Sequence, residues 1–258
     1  MRIFILPAAF LLACFLYLPF PRAQELLFAA LRRLYALLLR AFTPHNGKPA
    51  ENAALAAFLL TLGGVLMLLS ALHPLVAMAL AAPAFTGLSI LPGCTKARDK
   101  LNSGEYARDI PAYEALVRDT CRSLAPAFVQ GVVAPMLLFA LGVPLAMGAS
   151  LAMGYTALRA LEAQHSAAAR IVSAIQHSSD RILRALMVLC SGAAGRNPLR
   201  TEGRSAQERL MSILGIDESP THAPMAGDIQ QGIFLCILAA LLLCFTLCAV
   251  LAFIPSLA

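Results

Sequence analysis

Thirty-three consecutive residues, Ser123 to Tyr155 (SLAPAFVQGVVAPMLLFALGVPLAMGASLAMGY), carry no charged side chain. A helix crossing the hydrocarbon core of a bilayer needs about 20 apolar residues. The stretch is therefore too long for one comfortable span and too apolar to lie in water. It is also interrupted by Pro126, Pro135 and Pro144 and by Gly131, Gly142, Gly148 and Gly154. Proline removes an amide hydrogen and breaks or kinks a helix. Lipid tolerates the freed carbonyls only where protein covers them, and glycine lets backbones approach closely enough to do so. The pattern predicts a bent or re-entrant pair of short helices, Leu124–Leu141 and Val143–Leu158, near the centre of a membrane domain. One long, tilted, proline-kinked helix is the alternative.

The rest of the composition agrees with a membrane setting. Of 258 residues, 59% are hydrophobic and only 13% charged, against roughly 25% charged in soluble domains; the mean hydropathy is +0.75. The net charge of +6 comes from arginine-rich segments flanking apolar ones, which suits anionic headgroups and the positive-inside rule. No basic tract is interleaved with aromatics and tryptophan is absent, which argues against nucleic acid as a partner. Seven cysteines, Cys14, Cys94, Cys121, Cys190, Cys236, Cys244 and Cys248, form no Cys-x-x-Cys pair. Thiols in apolar runs behave as small hydrophobes, and no metal or disulfide is assigned to them.

Read in order, the chain is all-α and polytopic. Arg2 is followed by the apolar run Ile3–Leu18, read as a retained first span because no small-residue cleavage site follows it. Arg22–Arg40 is an amphipathic helix for the membrane interface, closed by a turn at Thr43–Gly47. Spans are expected over about 3–20, 53–72, 75–91, 124–158 (the bent pair) and 232–254, with a reversal at His73-Pro74. The count is five transmembrane helices, or four plus a re-entrant hairpin. Thr95–Arg122 and Arg159–Arg184 read as solvated helical loops, and Gly195–Asp228 as a polar loop. Basic residues over 22–48, 96–122, 159–184 and 196–209 would all face the cytoplasm if the N-terminus starts outside.

Catalytic patterns are few. There is no Walker loop, Gly-x-Ser-x-Gly, His-Glu-x-x-His or dinucleotide fingerprint. His45, His73, His165, His177 and His222 are scattered, and acidic residues are almost missing from the apolar runs. No catalytic residue and no metal site is assigned.

Ordered motifs go further. Ser123-Leu-Ala-Pro-Ala-Phe-Val-Gln-Gly-Val-Val-Ala-Pro135 resembles the S-L-A-E-N-T-x-D-G-V-V-A-P signature of the adenosylcobinamide-phosphate synthase (CobD/CbiB) family. Leu18-Pro-Phe-Pro21 resembles its L-P-H-P, and Arg108-Asp-Ile110 its R-D-T, with Arg118-Asp-Thr120 the better match in letters and the worse in spacing. Ala149-Ser-Leu-Ala-Met-Gly-Tyr155 resembles N-T-L-D-S-M-V-G-Y. Ala169-Arg-Ile-Val-Ser and Asp180-Arg-Ile182 stand where the family has A-R-L-D-D and A-R-L. Ser219-Pro-Thr before Gly227-Asp-Ile229 also runs parallel.

The resemblance implies an amide ligation that uses ATP and magnesium and a corrinoid substrate, in a multi-pass protein of the bacterial cytoplasmic (inner) membrane. The family's carboxylates are missing here, however. Its Glu and Asn fall on Pro126 and Ala127, its next Asp on Gln130, the Asp of N-T-L-D on Ala152, the paired Asp on Val172 and Ser173, and the following Asn on Gln176. Phe20 replaces the histidine. Carboxylates are the hard ligands and proton acceptors such a site needs, so the expectation is a degenerate, catalytically impaired member. Met153-Gly-Tyr-Thr-Ala-Leu-Arg-Ala160 is equally similar to the AmpE-like membrane proteins, which implies a regulatory or scaffold role as the alternative. A transporter is disfavoured by the lack of intramembrane charge.

In the resembling fold Arg118, Arg122, Arg159, Arg170 and Arg181 would converge beside the central hairpin with Gln130 and Tyr155, and would suit a corrinoid or another anionic small molecule. Positive-inside anchoring to lipid phosphate explains the same arginines. The expected partners are the bilayer, such a ligand and a second copy of the chain.

Overall fold

The computed structural model describes residues 4–42, 48–106, 109–193, 205–216 and 223–253. Met1–Ile3, the Thr43–Gly47 turn with His45, Arg108, the basic segment 196–204, Ser219–Thr221 and His222 lie outside the described residues. Among the described residues the chain is helical throughout and has no strand, so the all-α membrane architecture holds.

The N-terminal part comprises α1 (Ile5–Tyr17), α2 (Ala23–Phe42), α3 (Lys48–Leu72) and α4 (Pro74–Ala81). The α3–α4 reversal is set by His73, whose Nδ1 accepts the Leu75 amide at 3.1 Å while Pro74 occupies the first helical turn. This is an N-cap with a preset φ behind it. The third expected span does not continue as one helix. Short 3-10 turns, Ala82–Ala84 and Thr86–Ile90, precede α5 (Leu91–Asn102), and the two halves bend by 49°. Pro83 and Gly87 weaken the helix here, and the Tyr17 hydroxyl donates to the Pro83 carbonyl at 2.6 Å, covering a backbone acceptor at the break.

The central stretch is built as a hairpin, with a longer first arm than expected. α6 (Ile110–Phe128), a π segment (Val129–Val133) and α7 (Ala134–Gly142) follow one another as one 33-residue helical stretch. Its charged first half, with Glu114, Arg118, Asp119 and Arg122, lies N-terminal to the apolar half. At about 50 Å it is longer than a hydrocarbon core. A turn at Val143–Met147, with Ala146 at φ 55°, reverses the chain into α8 (Gly148–Leu161). A Cβ on Gly142 would stand 2.7 Å from the Gly148 nitrogen, and one on Gly148 2.9 Å from the Phe139 carbonyl oxygen. The reversal therefore needs both glycines.

The C-terminal part is α9 (Ser166–Ala193), α10 (Ala206–Leu214) and α11 (Ala226–Ala252). α10 corrects the reading of 195–228 as loop. Ser205 caps it by accepting the Glu208 amide at 3.2 Å, Gly215 ends it at φ 73°, and Leu210, Met211, Ile213 and Leu214 are buried. Its apolar face packs on α6 and α9. α11 starts six residues earlier than expected, because Asp228 accepts the Met225 amide at 2.8 Å and Tyr113 accepts the Ala226 amide at 3.0 Å.

Glu51–Leu72, Ile110–Gly142 and Ala226–Ala252 are long and apolar enough to cross a membrane, with the bent pair Pro74–Ala84 and Thr86–Asn102 as a fourth. The count of five is not reached by length. α1 has 13 residues and α8 has 14, each about 20 Å long, so both sit packed among longer neighbours. Ile5, Ala71, Pro74, Phe139, Val143 and Ala146 line one crevice. The start of α1 and both helical reversals thus share one apolar end, while the beginnings of α3 and α6 lie at the other, polar end. Two buried clusters fill the interior. The larger joins α1, α4–α7, α10, α11 and the second half of α9; the smaller joins α2, most of α3 and the start of α9; α8 contributes to both.

The tightest crossing lies between the Thr86–Ile90 turn and the π segment. A Cβ on Gly87 would meet the Ala127 carbonyl oxygen and lie 3.0 Å from the Gly131 carbonyl carbon, and one on Gly131 would meet Gly87 backbone and lie 2.9 Å from Thr86 Oγ1. Backbone cannot move aside as a side-chain tip can. Gly131→Ala is expected to destabilise the protein by about 3 kcal/mol, read as a fall in Tm in detergent. Gly93→Ala, whose Cβ meets open space in α5, is expected to be neutral or to stabilise by up to about 1 kcal/mol.

Candidate functional site

Pro135 creates the site by what it lacks. In the π segment the Ala134 amide reaches back five residues to the Val129 carbonyl. Continuing that register, the donor for the Gln130 carbonyl would be residue 135, and proline has no amide hydrogen. A carbonyl left bare inside a packed span costs about 1–3 kcal/mol. Arg159, one helix away on α8, fills the vacancy. Its Nη1 donates to the Gln130 carbonyl oxygen at 3.2 Å and to Thr86 Oγ1 at 2.8 Å, and its Nη2 donates to Gln130 Oε1 at 3.1 Å.

Side chains from other helices close around the guanidinium. It lies 5.6 Å from the centroid of the Phe28 ring on α2, within cation–π range. Tyr17 and Tyr155 are its electrostatic neighbours, and the Tyr155 hydroxyl is buried beside Gln176. Close by, Ser89 hydrogen-bonds Gln24 of α2. A second arginine does parallel work at the end of α8, where Arg32 Nε donates to the Ala160 carbonyl at 2.8 Å, one of the acceptors a helix end leaves open.

Gln130 has a second environment. With Pro126 and Val129 it lines one side of a polar pocket of about 280 Å³, faced by Ser173, Gln176, His177 and Asp180 of α9 and by Ser205 and Gln207 at the start of α10. The donors and acceptors are amides, hydroxyls and an imidazole, with one carboxylate. That carboxylate is committed to the fold: Asp180 accepts the Ala206 amide at 2.8 Å and pairs with Arg184 at 3.3 Å. Among the described residues no three His, Cys, Asp or Glu side chains converge as metal ligands. The lining can therefore hold a hydrogen-bonding ligand, and it offers no carboxylate pair for acid–base chemistry.

Of the residues singled out in the sequence, the structure brings Gln130, Arg159 and Tyr155 together. Arg118 is half-buried against Glu114 at 3.5 Å. Arg122, Arg170 and Arg181 are exposed, and Arg170 Nε donates to the Ser166 carbonyl of its own preceding turn at 3.4 Å. Four positions matched to the synthase motifs, Pro126, Gln130, Ser173 and Gln176, share the polar pocket. Ala152 and Val172 are buried in the core, and Phe20 is 65% exposed.

Thr86, Phe28, Ser205 and Gln207 carried no sequence signal as site residues. Only the last two could have been found, because Ser205-Ala-Gln-Glu208 ahead of Leu210, Met211, Ile213 and Leu214 has the spacing of a capped amphipathic helix.

Arg159→Met is expected to cost about 2–3 kcal/mol by leaving both Gln130 acceptors and Thr86 without their donor. Arg159→Lys should lose less, because one ammonium can reach some but not all of these acceptors. Thermal unfolding in detergent orders the three proteins, and equal Tm values for Arg159→Met and wild type would refute the bracing role.

No protein-family model matches the chain, and no curated protein or solved structure matches it either.

Proposed function

We propose that the protein is a multi-pass membrane relative of the adenosylcobinamide-phosphate synthases in which the amide-ligase site has become a non-catalytic ligand pocket. One observation carries this reading: Pro126, Gln130, Ser173 and Gln176, far apart in the chain, line one polar pocket. These are positions at which the synthase motifs put carboxylate or amide groups. A shared ancestral site accounts for motif positions from the central helix and from α9 facing each other. The pocket's one carboxylate, Asp180, is spent on Ala206 and Arg184, so the lining offers no free carboxylate to hold a magnesium ion beside the phosphates of ATP.

The AmpE-like alternative, a regulatory or scaffold protein without a corrinoid ligand, is favoured by a different observation. In Met153–Ala160, the segment that resembles that group's, Arg159 braces Gln130 with Tyr155 beside it, a structural role that needs no substrate. A cytoplasmic orientation of the polar end and an inner-membrane location belong to both readings, and the arginines of α2, α6 and α9 support them.

The test uses purified protein in detergent with adenosylcobyric acid, aminopropanol phosphate, ATP and magnesium. The expected result is corrinoid retention, followed by its visible absorbance, with no adenosylcobinamide phosphate formed. Product at rates typical of a working ligase would refute degeneracy. Neither retention nor product would leave the regulatory or scaffold role as the better reading.

A further inference from the structure

The polar pocket has a definite hydrogen-bonding sense, and Arg159 sets it. A guanidinium can only donate. The Gln130 oxygen that accepts from Arg159 Nη2 at 3.1 Å therefore cannot exchange places with the amide nitrogen. Arg159 Nη1 also holds the Gln130 backbone carbonyl, so the residue is anchored at two points. Gln130 lines the pocket and Arg159 does not. The amide thus keeps its oxygen toward the brace and has its NH2 group to offer the pocket, with no protein acceptor for it among the described residues.

Other lining groups share this sense. Ser205 Oγ already accepts the Glu208 amide, and its hydroxyl hydrogen remains available to donate. Ser205 stands with Gln207 at the opening turn of α10, the positive end of that helix's dipole. Asp180, the carboxylate in the lining, has both oxygens engaged, Oδ1 by the Ala206 amide and Oδ2 by Arg184. Charge points the same way. Arg159 takes part in no ion pair among the described residues, and Glu162, an acidic electrostatic neighbour, is exposed. An arginine packed among helices ordinarily has a carboxylate beside it. Here its positive charge lies behind the Gln130 amide, where it polarises the NH2 group and strengthens it as a donor.

We propose that this pocket is a receptor for a compact oxyanion, a phosphate or carboxylate group held without metal, with Gln130 Nε2 and the Ser205 hydroxyl as its donors. Oriented neutral donors stabilise an oxyanion when they are fixed in place beforehand, and Arg159 and the α10 cap fix these two. Ser173 and His177 of the lining are exposed, so solutes reach the pocket. Its volume of about 280 Å³ lies just below the range of sites that enclose whole drug-sized ligands, which suits one anionic group of a larger molecule. The inference rests on the ligand-pocket reading above and names the chemical group that the pocket takes, whatever molecule carries it.

Isothermal titration calorimetry of detergent-purified protein tests it, with inorganic phosphate, acetate and dihexanoyl phosphatidic acid as separate ligands and EDTA present. Saturable binding at a single site per chain is expected, and the tightest of the three tells whether the group arrives as free phosphate, carboxylate or lipid headgroup. Gln130→Glu leaves an oxygen for Arg159 to hold but puts negative charge where the donor was. Tm should hold while affinity for the tightest anion falls about tenfold or more. Ser173→Asp, at an exposed position of the lining, should weaken binding about as much. Ser178→Asp, exposed on α9 outside the lining, should not. If Gln130→Glu fails to fold, Ser173→Asp decides. No saturable binding of any of the three anions overturns the proposal, as does undiminished affinity in a folded Gln130→Glu or Ser173→Asp variant. An equal loss in Ser178→Asp shows surface charge only, and binding that appears only when magnesium replaces EDTA shows a metal site; each also overturns it. The assay contains no corrinoid. Corrinoid retention without anion binding would remove this proposal alone, and anion binding without corrinoid retention would support it while removing the corrinoid.

Discussion

The fold turns on a carbonyl that its own helix cannot satisfy. Pro135 withholds the donor that the π register would assign to Gln130, and Arg159 supplies it from the returning arm of the hairpin. One guanidinium thereby joins the long central helix, α8 and the Thr86–Ile90 turn. The same crossing is where Gly87 and Gly131 bring two backbones into contact. The brace and the close approach depend on each other. Without glycine the Thr86 turn could not come near enough for its hydroxyl to accept from Arg159, and without Arg159 a polar backbone group would face apolar neighbours.

Glycine serves opposite ends within this one molecule. At Gly87, Gly131, Gly142 and Gly148 it removes volume so that chain can touch chain. At Gly63, Gly64 and Gly154 an added Cβ would meet no protein atom within 4 Å. The first group makes a bent, proline-interrupted span compatible with lipid, because protein covers the freed groups. The second lines an apolar cavity between α3 and α8, beside the smaller buried cluster.

The polar pocket inherits its character from helix termini. Asp180 is used to start α10 through the Ala206 amide and to pair with Arg184, and Ser205 is used as its cap. Two of the strongest polar groups lining the pocket are thus bound into the architecture. What faces the cavity freely is mainly amide, hydroxyl and imidazole, a lining suited to recognition by hydrogen bonds rather than to proton transfer or metal chemistry. The exposed arginines of α9 add charge around this lining.

How much could be read from the chain alone follows from the range of the forces involved. Hydropathy and proline–glycine punctuation act locally, so membrane residence, the all-α class, the amphipathic α2, the reversal at His73-Pro74 and the uncharged central hairpin were all legible. The number of crossings was not. Apolar length in sequence does not say whether a segment stays straight, and the 49° bend near Phe85 and the short α1 and α8 are settled by packing. α10 was hidden between prolines although its cap and apolar stripe are written in Ser205–Leu214. Arg159 looked like one of five similar arginines. Only tertiary structure separated it from Arg122, Arg170 and Arg181, because the hydrogen-bond vacancy it fills is made by a proline twenty-four residues earlier in the chain and exists only once the hairpin closes.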